Sequence, residues 1–300
     1  MNNTIHMQDS IDQLEMVKGE SFGYKAVQRF KRHKLAMFGL VVLGFLLILT
    51  ILVPIFIGDS AYELNFTEMA QSPSLKHISG TDSIGRDIFA RLMIGGRVSL
   101  SVGLVSVIIS TTIGVILGGL AGYFGGKVDM IIMRFTDTIM CFPYLVIVMT
   151  LVAVLGPSLF NTMFAIGVLS WTRIARITRG EFLHLREMQF IEADRSLGIK
   201  TPTIIFGHLL PNALSPVIVS ATFNMANAIL MEAGLSFLGL GVQLPTPSWG
   251  NMLQEATTLT ILETMPWVWI PAGVLIAVTV LSINFIGDGL RDAMDPKMML

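Results

Sequence analysis

Charged residues and cysteines are both scarce in this chain. Only 14% of its 300 residues are Asp, Glu, Lys or Arg, and the net charge is -1. Because the charges are spread over separate loops rather than gathered in a basic patch, we expect no nucleic-acid partner. Cys141 is the single cysteine, so the chain cannot form an internal disulfide.

The sequence also lacks the motifs of common catalytic and metal sites. It has no HExxH or serine-elbow pattern, and its five histidines are scattered without metal-ligand spacing. We therefore expect no catalytic residue, and no metal or cofactor bound by this chain. The nearest candidate for a phosphate-binding loop, AGYFGGKV at 121–128, has Ala121 and Val128 where that loop requires Gly and Ser or Thr. Any ATP hydrolysis is expected in another subunit.

Hydrophobic residues are abundant instead: they make up 53% of the chain, and the mean hydropathy is +0.69. A single soluble core does not normally hold that much apolar side chain, so the composition predicts a polytopic membrane protein. A helix that crosses the hydrocarbon layer needs about 20 apolar residues. Six segments meet or approach this length and predict an all-α fold with six transmembrane helices: 35–57, 98–122, 130–155, 160–178, 212–240 and 267–287.

The placement of Lys and Arg predicts the orientation, because these residues favour the cytoplasmic side of a membrane. With six spans, sixteen of the twenty Lys and Arg residues fall on the side of the N-terminus, and four fall on the other. Both termini are therefore predicted to be cytoplasmic. The expected organisation is a cytoplasmic segment 1–34, a first transmembrane helix 35–57, an extracytoplasmic loop 58–97, a five-helix core 98–290 and a cytoplasmic tail 291–300.

The predicted cytoplasmic loop 186–211 is polar, although most of the chain is apolar. Three of its apolar residues recur at helical spacing and predict a short amphipathic helix: Phe190, Ala193 and Leu197. Gly198 is expected to end that helix. Thr201 followed by Pro202 is typical of a helix start, and predicts a second short helix before Pro211 opens the next span.

This loop resembles the EAA coupling motif of binding-protein-dependent ABC importer permeases. In that motif, EAA is followed by three residues, Gly, nine residues, a branched or polar residue, one spacer and Leu-Pro. Five residues match the pattern: Glu192, Ala193, Gly198, Leu210 and Pro211. Two residues depart from it, since Asp194 replaces the second alanine and His208 stands where Ile or Val is usual.

Three further segments are similar to the C-type permease of peptide, oligopeptide and nickel importers. They are GTDSIGRD at 80–87, MEAGLSFLGLGVQLPTPSWGNML at 231–253, and NFIGDGLRDAMDPK at 284–297. The resemblance runs from about residue 30 to residue 297 and implies the type I ABC importer permease fold.

The resemblance also implies the function and the partners. It implies a multi-pass permease of a prokaryotic cell membrane that forms half of a translocation path. The implied partners are a homologous second permease, two ABC ATPase subunits that bind ATP and Mg²⁺, and an extracellular solute-binding protein. Peptides are the leading solute, and nickel or a metal chelate is the alternative. A non-energised channel or membrane scaffold is the competing class.

Glu232 is the most costly residue in the predicted spans, because a charge at the bilayer centre costs about 2.5 to 3.5 kcal/mol on insertion scales. It has two interpretations. It could act as a gate on the translocation path, or as a structural group that satisfies backbone at a helix break near Gly234. Nearby Gly239 and Gly241 favour the structural interpretation.

Small residues recur in the second predicted span. Gly114, Gly118 and Gly122 are four residues apart, which exposes bare backbone on one face of a helix. We expect this face to pack closely against another helix, either of this chain or of a partner permease.

Several charged residues lie at the predicted extracytoplasmic side. Arg86, Asp87, Arg91 and Arg97 are candidates for contact with a solute-binding protein. The alternative is a solvated loop helix with local ion pairs, which contribute little to stability when exposed.

Overall fold

A computed structural model describes residues 22–294 of the chain, and within that range it contains helices and turns but no β-strand. Residues 1–21 of the predicted N-terminal segment lie outside the described residues. So do residues 295–300 of the predicted tail.

The described residues form a series of helices of very different length. In chain order they are α1 (Phe22–Arg32), α2 (Lys34–Ile57), α3 (Ile88–Phe124), α4 (Gly126–Met140), α5 (Tyr144–Leu155), α6 (Leu159–Leu169), α7 (Trp171–Leu185), α8 (Gln189–Ser196), α9 (Thr201–Phe237), α10 (Trp249–Gln254), α11 (Leu259–Thr264) and α12 (Pro266–Met294).

Four of these helices are long and apolar enough to cross a membrane: α2, α3, α9 and α12. At a rise of 1.5 Å per residue, the 37 residues of α3 extend roughly 55 Å, well beyond a hydrocarbon layer of about 30 Å. α3 is therefore longer than a crossing needs, and its first residues, 88–97, were predicted to be loop.

The predicted span 130–155 does not form one continuous helix. It is divided into α4 and α5, which meet at an angle of 88°. Pro143 causes the division, because proline has no N–H to donate to a helix and disfavours helical backbone at the residue before it. The two helices together meet the criteria of a fifth, broken span.

Two other predicted spans also differ from the structure. Residues 160–178 are divided between α6 and α7 at Ser170. Conversely, residues 201–237 form one helix, so Pro211 does not begin a new span after a separate short helix. A π-helical turn at Ile204–Leu209 precedes Pro211, and such a turn accommodates the missing N–H without ending the helix.

The chain between α2 and α3 and the chain between α9 and α12 pack together at one end of the bundle. We call residues 58–87 and 240–265 the cap. Trp267 Nε1, at the start of α12, donates a hydrogen bond to the carbonyl of Thr81. Trp249 of α10 is fully buried and donates through Nε1 to the carbonyl of Leu92 in α3 at 2.9 Å. These contacts fix the cap to both α3 and α12.

The three glycines of α3 pack against α7. A Cβ atom at Gly114 would lie 2.7 Å from Cβ of Ile174, and one at Gly122 would lie 2.6 Å from Cβ of Phe182. At Gly118 it would lie 2.9 Å from Cα of Ala175. These distances are too short for a side chain, so the backbones of the two helices touch within this chain.

We expect Gly118→Ala to destabilise the protein because the added methyl group would force α3 and α7 apart. Overpacking of this kind costs about 1 to 3 kcal/mol. Gly180 of α7 is a matched control, since a Cβ there meets nothing within 4 Å. Gly180→Ala should leave stability unchanged or raise it, because Ala favours a helix over Gly by about 1 kcal/mol. Thermal unfolding in detergent measures both, and equal midpoints would contradict the packing role.

Candidate functional site

The loop between α7 and α9 ends its helix with a left-handed glycine. Gly198 has φ of +74°, a conformation in which side chains with a branched Cβ are strained. The N–H of Ile199 donates to the carbonyl of Asp194, and the N–H of Gly198 donates to that of Arg195, both at 3.0 Å. This pair of bonds is a Schellman motif, which satisfies the last carbonyls of α8.

The predicted apolar face of α8 is exposed. Phe190 is 44% exposed, Leu197 is 80% exposed, and Ala193 is also exposed. The residue that attaches the helix to the protein is Ile191, which is fully buried. Apolar side chains left in solvent on a short helix are typical of a surface that docks against another protein.

Ile191 lies in a small hydrophobic cluster of its own. Its buried neighbours there are Phe182 of α7 and three residues of α9: Ile204, Leu209 and Ala213. Because Phe182 also packs against Gly122, this cluster joins α8 to α3, α7 and α9 at once. Through this one cluster α8 is therefore attached to α7 and α9, and through Phe182 to α3.

The two departures from the coupling pattern contact one another. Nδ1 of His208 lies 2.6 Å from a carboxylate oxygen of Asp194, which is largely buried. The contact is an ion pair when the imidazole is protonated. A helix pattern with Ala and Ile at these positions has no such contact, so in this chain the two substitutions jointly attach α8 to the π-helical turn of α9.

Glu232 is fully buried between α3, α9 and the cap. The hydroxyl of Ser99 donates to one carboxylate oxygen at 2.8 Å, and that of Ser236 donates to the other at 2.7 Å. The backbone N–H of Trp249 donates to the same Ser99 hydroxyl. Both oxygens are thus satisfied within the protein, which supports the structural interpretation. The predicted helix break at Gly234 is wrong, since α9 continues to Phe237.

Three of the four candidates for binding-protein contact instead make ion pairs or hydrogen bonds within the protein, at the cap or at the start of α3. Arg91 is fully buried, with Nη2 at 3.4 Å from a carboxylate oxygen of Glu255. Arg86 donates to Asp82 at 2.5 Å, and Asp87 caps the start of α3 by accepting from the N–H of Ala90. Arg97 alone among the four is exposed.

A histidine in the cap lies between two carboxylates. Nδ1 of His77 is 2.8 Å from Asp87, and Nε2 is 3.2 Å from Glu68. The hydrogen bond to Asp87 raises the pKa of the His77 imidazole above its ordinary value, and the bond to Glu68 acts in the same direction against burial. At the other ion cluster, burial raises the pKa of the Glu255 carboxyl, and the Arg91 charge opposes it. Neither residue was among the sequence candidates.

Two cavities lie along α9, on the side of that helix that faces α7. One has a volume of about 700 Å³ and is lined by residues such as Glu181, Ser215 and Arg291. The other has a volume of about 600 Å³ and is lined by residues such as Tyr144, Asn224 and Asn227. Glu232 lines neither cavity. No cluster of three or more His, Cys, Asp or Glu that could hold a metal ion occurs within residues 22–294.

If Glu232 is structural, Glu232→Gln should be tolerated better than Glu232→Leu. The amide keeps acceptor capacity for one serine hydroxyl, whereas leucine leaves both without a partner at about 1 to 3 kcal/mol. Exposed Glu263 provides the control, and Glu263→Leu should leave the unfolding midpoint unchanged. Uptake of solute per inserted protein distinguishes the structural role from a gate. Equal loss of uptake in both Glu232 variants, with unchanged unfolding midpoints, would identify a gate.

Comparisons with known proteins agree on one family. The family described as "Binding-protein-dependent transport system inner membrane component" matches residues 114–300. The description "N-terminal TM domain of oligopeptide transport permease C" matches residues 21–73.

Curated relatives match almost the whole chain. The dipeptide transport system permease protein DppC of Alkalihalophilus pseudofirmus is 42% identical, over 91% of this chain and 90% of the relative. The oligopeptide transport system permease protein OppC of Haemophilus influenzae is 40% identical, over 96% of this chain and 93% of the relative.

A solved structure shows the same fold at lower identity. A chain of the MetNI methionine ABC transporter, in an inward-facing conformation, matches with a TM-score of 0.56 and 20% identity. The match covers 68% of this chain and 96% of that one. Together with the family matches, this shows that the chain belongs to the binding-protein-dependent transport-system inner membrane components and is a permease subunit of an ABC transporter.

Proposed function

We propose that this chain forms half of the translocation path of an ATP-driven importer that carries peptides. The names of the relatives support this solute, since proteins about 40% identical over nearly the whole chain are dipeptide and oligopeptide permeases. In the proposed complex, an extracytoplasmic solute-binding protein delivers the peptide. A second, homologous permease supplies the other half of the path, and two ATPase subunits bind ATP and Mg²⁺.

We further propose six membrane crossings with both termini in the cytoplasm. The crossings are α2, α3, the bent pair α4 and α5, the pair α6 and α7, α9, and α12. This arrangement places the cap outside the membrane and α8 in the cytoplasm, and the basic residues around α8, Arg186, Arg195 and Lys200, favour the cytoplasmic side.

Docking of α8 into an ATPase subunit is proposed because apolar residues of this helix are exposed. Phe190 and Leu197 remain in solvent although a buried cluster lies directly beneath them at Ile191. A cleft in a partner can cover such a face, and the tight turn at Gly198 lets the start of α9 approach the same cleft.

Coupling then follows from the contacts of that cluster. Closure of the ATPases on ATP would displace α8, and the Ile191 cluster would move α7 and α9 with it. At the other end of α9, the Glu232 hydrogen bonds join this helix to α3 and to Trp249 of the cap. The path can therefore alternate between inward-open and outward-open states while its helices move as rigid units.

Uptake of labelled peptide into proteoliposomes tests the proposed function. The complex of both permeases, the ATPases and the binding protein should take up a tripeptide only when ATP and the binding protein are both supplied. A nickel chelate serves as the alternative solute. Uptake of the chelate alone would replace the peptide assignment, and peptide flux without ATP would identify a non-energised channel.

The docking role of α8 is tested at Gly198. Gly198→Val should weaken recovery of the ATPases with the permease, because a β-branched residue is strained at positive φ. A Cβ at this position meets nothing within 4 Å, so the effect would come from backbone conformation alone. Gly198→Asn is the matched control, since Asn tolerates the left-handed conformation and should keep association. Equal recovery of ATPase by both variants would contradict the proposal.

A further inference from the structure

An arginine lies where the two cavities meet. Arg173 lines both of them, on the face of α7 that looks toward α9. It lines one cavity together with Phe223 and the other together with Asn224, which places it beside the middle of the 37-residue helix. In the crossing proposed for α6 and α7, a charge at this position is costly, and such residues commonly mark a path for substrates.

The arginines that follow on α7 are paired, whereas Arg173 is not. Arg176 donates to Asp137 and Arg179 donates to Asp129, each through Nη2 at 2.6 Å. Both carboxylates belong to α4, which has no other acidic residue. Within residues 22–294, Arg173 makes no hydrogen bond or ion pair, and its side chain is exposed to the cavities.

Arg173 has different surroundings in the two cavities: the larger one is also lined by Glu181 and Arg291, whereas the lining of the smaller one is mostly apolar with a few uncharged polar groups. The cavity of about 600 Å³ contains no acidic side chain, and Arg173 is its one charged residue among the described residues that line it. Two amides of α9 face the same space. Asn224 donates to the hydroxyl of Ser110, while Asn227 makes no hydrogen bond within the described residues. One cation beside a free amide suits a ligand that has an anionic end and a peptide-like backbone.

We propose that Arg173 binds a carboxylate group of the peptide while it passes between the two cavities. This inference rests on the proposed function. The guanidinium presents several N–H donors in a planar arrangement that matches the two oxygens of a carboxylate. A carboxylate that leaves water for an apolar path loses its hydration, and Arg173 replaces part of it. Asn227 is placed to pair with the peptide backbone beside it.

Three peptides and three variants test this in the reconstituted complex at saturating binding protein. The peptides are trialanine with a free C-terminus, trialanine amide, and Ala-Glu-Ala amide. The variants are Arg173→Gln, Arg173→Lys and, as the control, Arg176→Gln. Arg176 lies one turn along the same helix in an exposed ion pair, so its replacement removes an equal charge.

In Arg173→Gln we expect the uptake rate of free trialanine to fall about tenfold or more, because a hydrogen bond to a charged group is lost. Uptake of trialanine amide should match that of the wild type. The Arg173→Lys variant should recover part of the lost uptake rate. The Arg176→Gln variant should take up all three peptides at the wild-type rates. If Ala-Glu-Ala amide is also slowed, Arg173 accepts side-chain carboxylates; if it is not, Arg173 recognises the C-terminus.

An equal decrease for all three peptides in Arg173→Gln would overturn the inference, since that is the result of a lost contact with the other permease. An unchanged rate for free trialanine would overturn it as well. Absence of uptake of every peptide by the wild-type complex would instead overturn the proposed function, so the two failures are distinguishable.

Discussion

The backbone contact between α3 and α7 is the constraint on which the rest of the structure depends. Because Gly114, Gly118 and Gly122 have no side chains, α7 lies directly against α3, and both ends of α7 are then fixed. One end carries Arg173 to the cavities, and the other carries Phe182 into the cluster that holds α8. Lipid tails are as apolar as the side chains, so no hydrophobic force drives helices together in a membrane. Close approach of this kind is therefore a main source of helix association there.

The long helix α9 is fixed in the same way at two separate points. Near its start, Ile204 and Leu209 are buried in the cluster below α8, and near its end Glu232 accepts a hydrogen bond from Ser99 of α3. Between these points the helix presents polar residues to the cavities. Since it continues through Pro211 without a break, a shift at its start reaches the cap end over roughly 55 Å. This continuity links the loop 186–211 to the cap without any additional element.

Local sequence patterns predicted those structural features that depend only on residues close together in the chain. Hydropathy located both ends of α2 and the start of α12 to within one residue, although α12 continues seven residues beyond its predicted end. Glycine chemistry predicted the turn at Gly198, because such a turn depends on a short stretch of chain. Hydropathy did not predict the bend before α5, since a window average hides Pro143, although the proline itself was a visible signal. The burial of Arg91 was not predictable from its surroundings in sequence, because its partner Glu255 is 164 residues away.

The charged groups of α7 and α9 differ in whether the protein itself satisfies them. Glu232 is buried and has hydroxyl donors at both oxygens, and the partly exposed Arg179 has a carboxylate as its partner. Arg173 has neither within the described residues, yet it lies beside open volume. A satisfied charge holds helices together and has little capacity to bind anything else. An unsatisfied charge beside a cavity keeps its capacity for a ligand, and the sequence did not identify Arg173 because residues of α7 and α9, about 40 to 60 positions apart in the chain, form the cavities beside it.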